Sequence, residues 1–531
     1  MSDPAGRASP WTVRGLARAA AVVAVLGIFS RALGFVRELV LAAIYGTSAA
    51  TDAFVNALLV VNAVAAVLLY TLVTLVIPVF QQERERAGSA SAWRLLWAIA
   101  AWSGIVLIGI SVLITVWPEG PTALFNLDAG RAETTQRLLR LMAPALALQG
   151  LSALFTALLQ IHARFALPAA VGVAFNLGII VAVAVGHGSI GIDAAGIGVS
   201  AGALGQIALQ TPQFVRLARQ EGVRVTLRHE RLRYAALLAL PVLGASLLQQ
   251  INSFTDKLFA SSLVAGRVAA LNFANALGSA PRTALLFPLL TPLFPLIARM
   301  MAERRSDDAQ RAFERAAGLL ALVAVPISAL LAIYAHEVAT ITFGHGKCAG
   351  AAGRDCREQI GAPLAFYGLA VWGNFLGYLL NRALSAANRF ADVVVATAIA
   401  VVVTIGLDIA LIGPLEQGGL ALASAIGVYL NVVITLLYLR RQLPGLSLRA
   451  LAQQQGRLLL CGGLAAGAAA LLNLALPGST DGALAAAWPL AIKGVAAIVV
   501  YVVALRLLAP AELAEARRSL RAFVPRRWRP A

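Results

Sequence analysis

Charge is scarce in this chain. Asp, Glu, Lys and Arg make up only 13% of its 531 residues, where water-soluble domains carry about 25%. With 60% hydrophobic residues and a mean hydropathy of +0.80, the shortage excludes a soluble globular protein and implies an integral membrane protein. Short segments of alternating apolar and polar residues are also missing, which excludes a β-barrel; the apolar stretches are instead about 20 residues long, enough for a helix to cross the hydrocarbon core. No Gly-rich phosphate loop, nucleophile constellation or metal motif is present, and the five His (His162, His187, His229, His336, His345) are scattered. An enzyme is therefore not expected. Lysine is nearly absent (Lys257, Lys347, Lys493), so the net charge of +18 is carried by arginine.

What is present is a succession of apolar helices. Fourteen spans are expected near 16–45, 53–80, 92–116, 139–160, 167–185, 189–211, 234–263, 268–298, 312–336, 360–384, 390–412, 417–439, 455–475 and 484–508. A signal peptide is the alternative for the start, since Arg7, Arg14 and Arg18 precede the apolar run 19–29. No small-residue cleavage site follows, and the apolar pattern resumes beyond Arg37. Of the 43 cations, 31 fall on the side of the N-terminus and seven on the other (Arg131, Arg137, Arg140, Arg267, Lys347, Arg354, Arg357). Five lie within helices (Arg31, Arg37, Lys257, Arg282, Lys493). The positive-inside rule then makes both termini cytoplasmic. The arginine-rich tail 517–529 is read as a contact with anionic membrane lipids, not with nucleic acid.

Phe54–Leu58 (FVNAL) and Phe273–Leu277 (FANAL) are related by an offset of 219 residues, each followed by a proline near the inner end, Pro78 and Pro295. Six helices separate the copies, as in transporters built from repeats. The expected organisation is an N-terminal lobe over 1–215 (helices 1 to 6), a basic cytoplasmic linker over 216–233, a C-terminal lobe over 234–440 (helices 7 to 12), and helices 13–14 with a basic tail over 441–531. Cys348 and Cys356 share the outer loop between helices 9 and 10. A disulfide there and a metal site with His345 both remain open, the latter lacking a fourth ligand.

Ionisable groups at membrane depth face a protein interior or a watery cavity. In helix 1, Glu38 lies about 20° around the axis from Arg31, and Arg37 about 120° away. Asp52 at the start of helix 2 is a helix cap or a ligand group, and Arg31 and Arg37 either line a cavity or snorkel to an interface. Asp256 beside Lys257 in helix 7, Thr404 and Asp408 in helix 11, and Leu420 and Ser424 in helix 12 supply oxygens for Na⁺ or for a proton relay; an Asp256–Lys257 ion pair is the alternative.

The stretch SRALGFVRE from Ser30, TDAF at Thr51–Phe54, Asn62, DKLFASSL from Asp256, ALNFANAL from Ala270 and IGPLEQGGLALA from Ile412 together resemble the MurJ/MviN lipid II flippase family of the MOP exporter superfamily. The resemblance runs the length of the chain and implies an all-α polytopic membrane protein, with two six-helix lobes plus a final pair. It further implies a flippase of the bacterial cytoplasmic (inner) membrane. Such a protein moves lipid II, the undecaprenyl-pyrophosphate-linked peptidoglycan precursor, from the inner to the outer leaflet by alternating access, with cation or potential coupling. Arg31, Arg37, Asp52, Asn62, Asn275 and Arg282 are then the substrate-binding candidates, and Asp256, Thr404, Asp408, Leu420 (backbone) and Ser424 a candidate Na⁺ site. The chain departs from the family where basic residues are usual: Ala65 and Ala66 follow Asn62, and Ala276 follows Asn275. Alternatives are a flippase for another polyprenyl-linked glycan, a multidrug-type cation antiporter of the same superfamily, and a non-transporting scaffold.

Overall fold

The computed structural model describes residues 13–220, 226–286, 299–300, 303, 306–350, 353–475 and 483–523. Among these, regular structure is entirely helical. In chain order the α-helices are α1 (Val13–Tyr45), α2 (Ala49–Ala87), α3 (Ser89–Val116), α4 (Glu119–Thr122), α5 (Ala129–Met142), α6 (Pro144–Ile161), α7 (Ala166–Ile190), α8 (Asp193–Gln220), α9 (Leu232–Ala260) and α10 (Arg267–Pro281). They continue as α11 (Ser306–Ile333), α12 (Ala335–Phe343), α13 (Arg354–Ala386), α14 (Phe390–Gln442), α15 (Leu448–Ala475), α16 (Ala483–Leu508) and α17 (Pro510–Phe523). Nine stretches of described helix are long and apolar enough to cross a membrane: α2, α3, α5 with α6, α7, α11, α13, α14, α15 and α16.

Local chemistry accounts for the differences from the expected spans. The fourth divides at Ala143, where Pro144 opens α6 at the position that tolerates a missing N–H. The eighth gives α10, which ends at Pro281 and passes into a π-helical turn, Arg282–Leu286; 287–298, with Pro295, fall outside the described residues. The ninth stops at Ile333, and the short α12 follows. The eleventh and twelfth form a helical hairpin, α14, which folds back at Glu416, a non-glycine residue at φ +48°. Three contacts register the two halves of this hairpin as antiparallel. Gly419 approaches the carbonyl of Leu411, Gly427 approaches the Thr404 hydroxyl, and Asn431 Nδ2 lies 3.4 Å from Thr397 Oγ1. A Cβ at either glycine would meet those atoms, so the turn sequence EQGG and the later Gly427 permit the approach.

The chain divides by compactness into two units, Met1–Ala269 and Ala270–Ala531. In the first, α2, α3 and α6 surround Phe80, Trp93, Leu96 and Leu158, with Phe80 and Trp93 edge to face at 6.0 Å. There α7 and α8 touch backbone to backbone through Gly178 and Gly202, the small-residue packing that lets membrane helices associate without a hydrophobic drive. In the second, Phe313, Leu320, Phe375 and Leu380 join α11 and α13 to the second half of α14. Leu458, Cys461, Tyr501 and Leu505 fasten α15 and α16 to α11.

Cys348 and Cys356 form a disulfide with Cα atoms 5.5 Å apart, while Cys461 is free and buried. Arg357, also buried, donates from Nη1 to the carbonyls of Cys348 (2.7 Å) and Gly350 (2.8 Å) and so closes the same loop. Closing so short a loop contributes about 2.5 kcal/mol by chain-entropy reasoning. In unfolded, unreduced protein, maleimide labelling is expected to find one reactive thiol per chain, rising to three after reduction. Three before reduction would show that the bridge does not form.

Candidate functional site

The arginines of α1 are presented by a helix packed on α7. Its buried face carries Glu38, Leu41, Ala42 and Tyr45, while Arg31 is exposed. Gly34 brings α1 within 3.6 Å of the Asn176 amide, measured from where a Cβ would stand. Asn176 on α7 is itself held by donating from Nδ2 to Gly172 O (2.9 Å) and Ser30 O (3.3 Å). Its Oδ1 then accepts from Arg37 Nη1 at 3.1 Å, and Arg37 Nη2 donates to Glu38 Oε1 at 2.5 Å. The guanidinium is thereby aimed, and its buried Nε–H has no hydrogen-bond partner among the described residues. A buried donor left open in this way is a point where a ligand or water binds. In the sequence the only sign of Asn176 is a lone Asn in an apolar helix, FNLG.

Asp52 does not cap its own helix. That position belongs to Ser48, whose Oγ accepts from Thr51 N at 3.3 Å. The Asp52 carboxylate is fully buried and accepts from Gly266 N at 2.6 Å and Ala269 N at 2.7 Å, at the opening of α10. It thus neutralises a helix N-terminus distant in sequence. Gly266, at φ +96°, adopts a conformation that favours glycine. Arg131 completes the cluster with Nη1 3.9 Å from Asp52 Oδ2, while donating from Nε to Asp128 Oδ2 (2.5 Å) and from Nη1 to Leu263 O (3.1 Å). Arg131 reads in the sequence as a loop cation that helps set orientation; in the structure it is buried and pairs with the core. One turn after Asp52, the Asn56 amide is buried with neither Nδ2 nor Oδ1 partnered among the described residues.

Asn62 is exposed on α2. Just beyond it, Ala63, Val64, Val67 and Leu68 face Leu247 and Phe254 of α9 across an apolar cavity of about 440 Å³. Ala65 is buried and Ala66 half-buried, so this stretch of α2 is apolar. Asp256 and Lys257 sit half-buried on α9, also in the first unit.

The remaining candidates belong to the second unit. Asn275 is exposed on α10, and Arg282 opens the π-helical turn, a local irregularity frequent at functional sites. Thr404 and Asp408 are buried one turn apart on the first half of the α14 hairpin, with Thr404 Oγ1 donating to Ala400 O at 2.9 Å. The register set by Gly419 and Gly427 runs Leu420, buried, and Ser424, half-buried, alongside them. The structure therefore brings four of the five cation-site candidates together on one hairpin. Hydroxyl, carboxylate and backbone carbonyl oxygens form a donor set that fits a hard cation such as Na⁺.

Several solved transporters share this fold. The structure titled "Lipid II flippase MurJ, inward closed conformation" superposes with a TM-score of 0.78 at 16% identity, covering 92% of this chain and 99% of that one. An inward-facing MATE multidrug transporter of the MOP superfamily gives 0.65 at 12% identity, covering 80% and 98%. The protein is thus a multi-pass, all-α membrane protein that shares the fold of these structures. Residues 41–480 match the family described as "Lipid II flippase MurJ", and the chain belongs to that family. A probable lipid II flippase MurJ from Rhizobium meliloti is 25% identical over 422 residues, 76% of this chain and 77% of the relative. The lipid II flippase MurJ of Burkholderia cenocepacia is 25% identical over 444 residues, 80% and 84% respectively.

Replacing Asp52 with Ala leaves the Gly266 and Ala269 amides without their acceptor, while Arg131 keeps Asp128, and is expected to cost about 2–4 kcal/mol. The measurement is the thermal midpoint and yield of purified protein in detergent. Asp52→Asn, which turns an N–H toward one of the amides, recovers only part of the loss.

Proposed function

We propose that this protein flips lipid II from the inner to the outer leaflet of the bacterial cytoplasmic membrane by alternating access, feeding peptidoglycan synthesis without covalent chemistry of its own. Membership of the MurJ family supports the reading, and the observation that carries it to this chain's residues is Arg37. Its guanidinium is oriented by Asn176 and Glu38 with one buried donor left open. A pyrophosphate is recognised by oriented guanidinium donors of this kind. Arg31, Asn62, Asn275 and Arg282 are proposed as further substrate contacts, and Asp52 as the residue that holds the start of α10 in place.

The proposed topology has fourteen crossings with both termini cytoplasmic, the connecting segment 216–233 joining two six-helix lobes, and the basic end of the chain resting on anionic headgroups. Na⁺ is the proposed coupling ion. Thr404, Asp408, Leu420 O and Ser424 would hold it, and the ion would supply a positive charge against a buried carboxylate. The same buried hairpin pair, Thr404 and Asp408, favours a cation-coupled antiporter of small amphiphiles as the second reading, because such a protein needs no phosphate-binding arginine.

One measurement separates these readings and a second tests the cation site they share. Arg37→Ala should abolish rescue of a bacterium depleted of its lipid II flippase, at normal protein level; full rescue removes Arg37 from the substrate site, and Na⁺-dependent dye efflux without lipid transport points to the antiporter. The unfolding midpoint of the wild-type protein should rise when choline is exchanged for Na⁺, and Asp408→Ala should abolish the rise. An equal midpoint in both salts argues against the cation site.

A further inference from the structure

The inner end of α2 carries a carboxylate that the proposed transport site does not use. Glu83 is fully buried. It accepts from Ser91 Oγ at 2.6 Å, from Arg86 Nε at 3.3 Å and from Arg231 Nη1 at 3.4 Å, and His229 Nε2 stands 3.8 Å from its Oε1. Arg86 belongs to α2 and Ser91 to α3, whereas His229 and Arg231 belong to the basic connecting segment just before α9. The hydrogen bonds fix the state of the imidazole. Ser91 spends its only proton on Glu83, so its contact with His229 Nε2 at 3.1 Å requires Nε2–H as donor. Nδ1 is then the acceptor for Arg231 N at 3.2 Å. A continuous chain results, from the Arg231 amide through a neutral imidazole and a serine hydroxyl to the carboxylate.

The same segment is held at further points. Trp102 Nε1 on α3 donates to Leu227 O at 3.2 Å, the Arg231 guanidinium lies 4.4 Å from the Tyr234 ring centroid, and the Tyr234 hydroxyl stands 3.5 Å from Gln82 Oε1. Residues 227–234 therefore lie along α2 and α3 with one buried charge at the centre. Removing that charge leaves two arginines and the Ser91 hydroxyl without their acceptor, which a buried ion pair tolerates poorly.

We propose that Glu83 is a positioning residue for transport: it docks the arginine-rich connecting segment onto the inner ends of α2 and α3, and so sets where α9, the helix carrying Asp256 and Lys257, enters the bundle. The proposal rests on the flippase reading for its activity readout but not for its geometry. It also carries a pH dependence. The His229 ring faces Glu83 and Arg86 of α2, Arg94 of α3 and its neighbour Glu230; burial first, and the two arginines after it, hold its pKa below the ordinary 6.5 against the pull of the two carboxylates. The neutral ring is the one the dock needs. The dock is therefore complete at and above neutral pH and loses the Arg231 N to His229 Nδ1 bond as the pH falls through the lowered value.

The test uses full-length protein in liposomes with fluorescent lipid II as probe, beside cross-linking of Gln82→Cys with Tyr234→Cys by a short bis-maleimide in a Cys461→Ser background. Glu83→Gln should lower both the cross-link yield and the flipping rate by about tenfold, the scale of losing a charged hydrogen bond, while detergent binding of lipid II is unchanged. Glu83→Asp should restore both to within about threefold, and His229→Asn should remove the acid limb of the wild-type rate profile. Normal flipping with the cross-link lost, or lost flipping with the cross-link intact, overturns the proposal. If Glu83→Gln does not accumulate, Arg231→Lys decides by the same pair of measurements. A wild-type protein that moves no lipid II overturns the substrate reading, and the cross-link then decides the dock alone.

Discussion

A charge carried from water into a bundle of membrane helices must be compensated inside the protein, because desolvating it unpaired costs several kcal/mol. In a chain with so few charges this constraint acts at particular places, and each place joins elements far apart in sequence. Arg37 on α1 reaches Asn176 on α7; Asp52 on α2 reaches the opening of α10 and Arg131 on α5; Glu83 on α2 reaches the segment before α9. In the second unit Lys493, fully buried on α16, donates to Asn473 Oδ1 on α15 at 2.6 Å and stands 3.8 Å from Glu337 on α12. These pairs state which helix lies beside which, something that an Ala- and Leu-rich surface does not specify by itself.

Between these points the helices are joined by close approach. Lipid tails are as apolar as leucine, so burial gives helices little reason to associate in the bilayer, and dispersion between closely spaced backbones takes over. Gly172 receives the Ser30 hydroxyl, Gly178 receives Gly202, and Gly427 receives Thr404. The last of these contacts sets the register that brings Ser424 alongside Asp408. The polar pairing and the small-residue packing thus act on the same helices, the first choosing partners and the second fixing their distance.

The two ends of α2 illustrate how one helix serves both purposes. Its N-terminal end carries a carboxylate that holds the start of another helix, and its C-terminal end one that holds a connecting segment, while the middle, Ala63–Leu68, borders an apolar cavity. This middle stretch, with Ala65 and Ala66, carries no cation. The positive charge proposed to meet a pyrophosphate is correspondingly concentrated on α1, where Arg37 is already aimed by Asn176.

Composition and the length of the apolar runs were enough to establish an all-helical membrane protein, because hydrocarbon demands about 20 apolar residues whatever the fold; the motifs at Ser30, Thr51 and Ile412 were enough to indicate the family. The Arg31, Arg37 and Asp52 candidates were legible for the same reason: a charge among apolar residues stands out in one dimension. Their partners were not. Asn176 is 139 residues from Arg37, and Gly266 is 214 from Asp52. Nor could the sequence show that Asp52 caps α10 instead of α2, that Arg131 is buried, or that Cys348 and Cys356 are joined. By itself the sequence determined which residues must be satisfied; only the tertiary structure decided by whom, because a buried charge is compensated by what lies within about 4 Å in space, not by what lies near it along the chain.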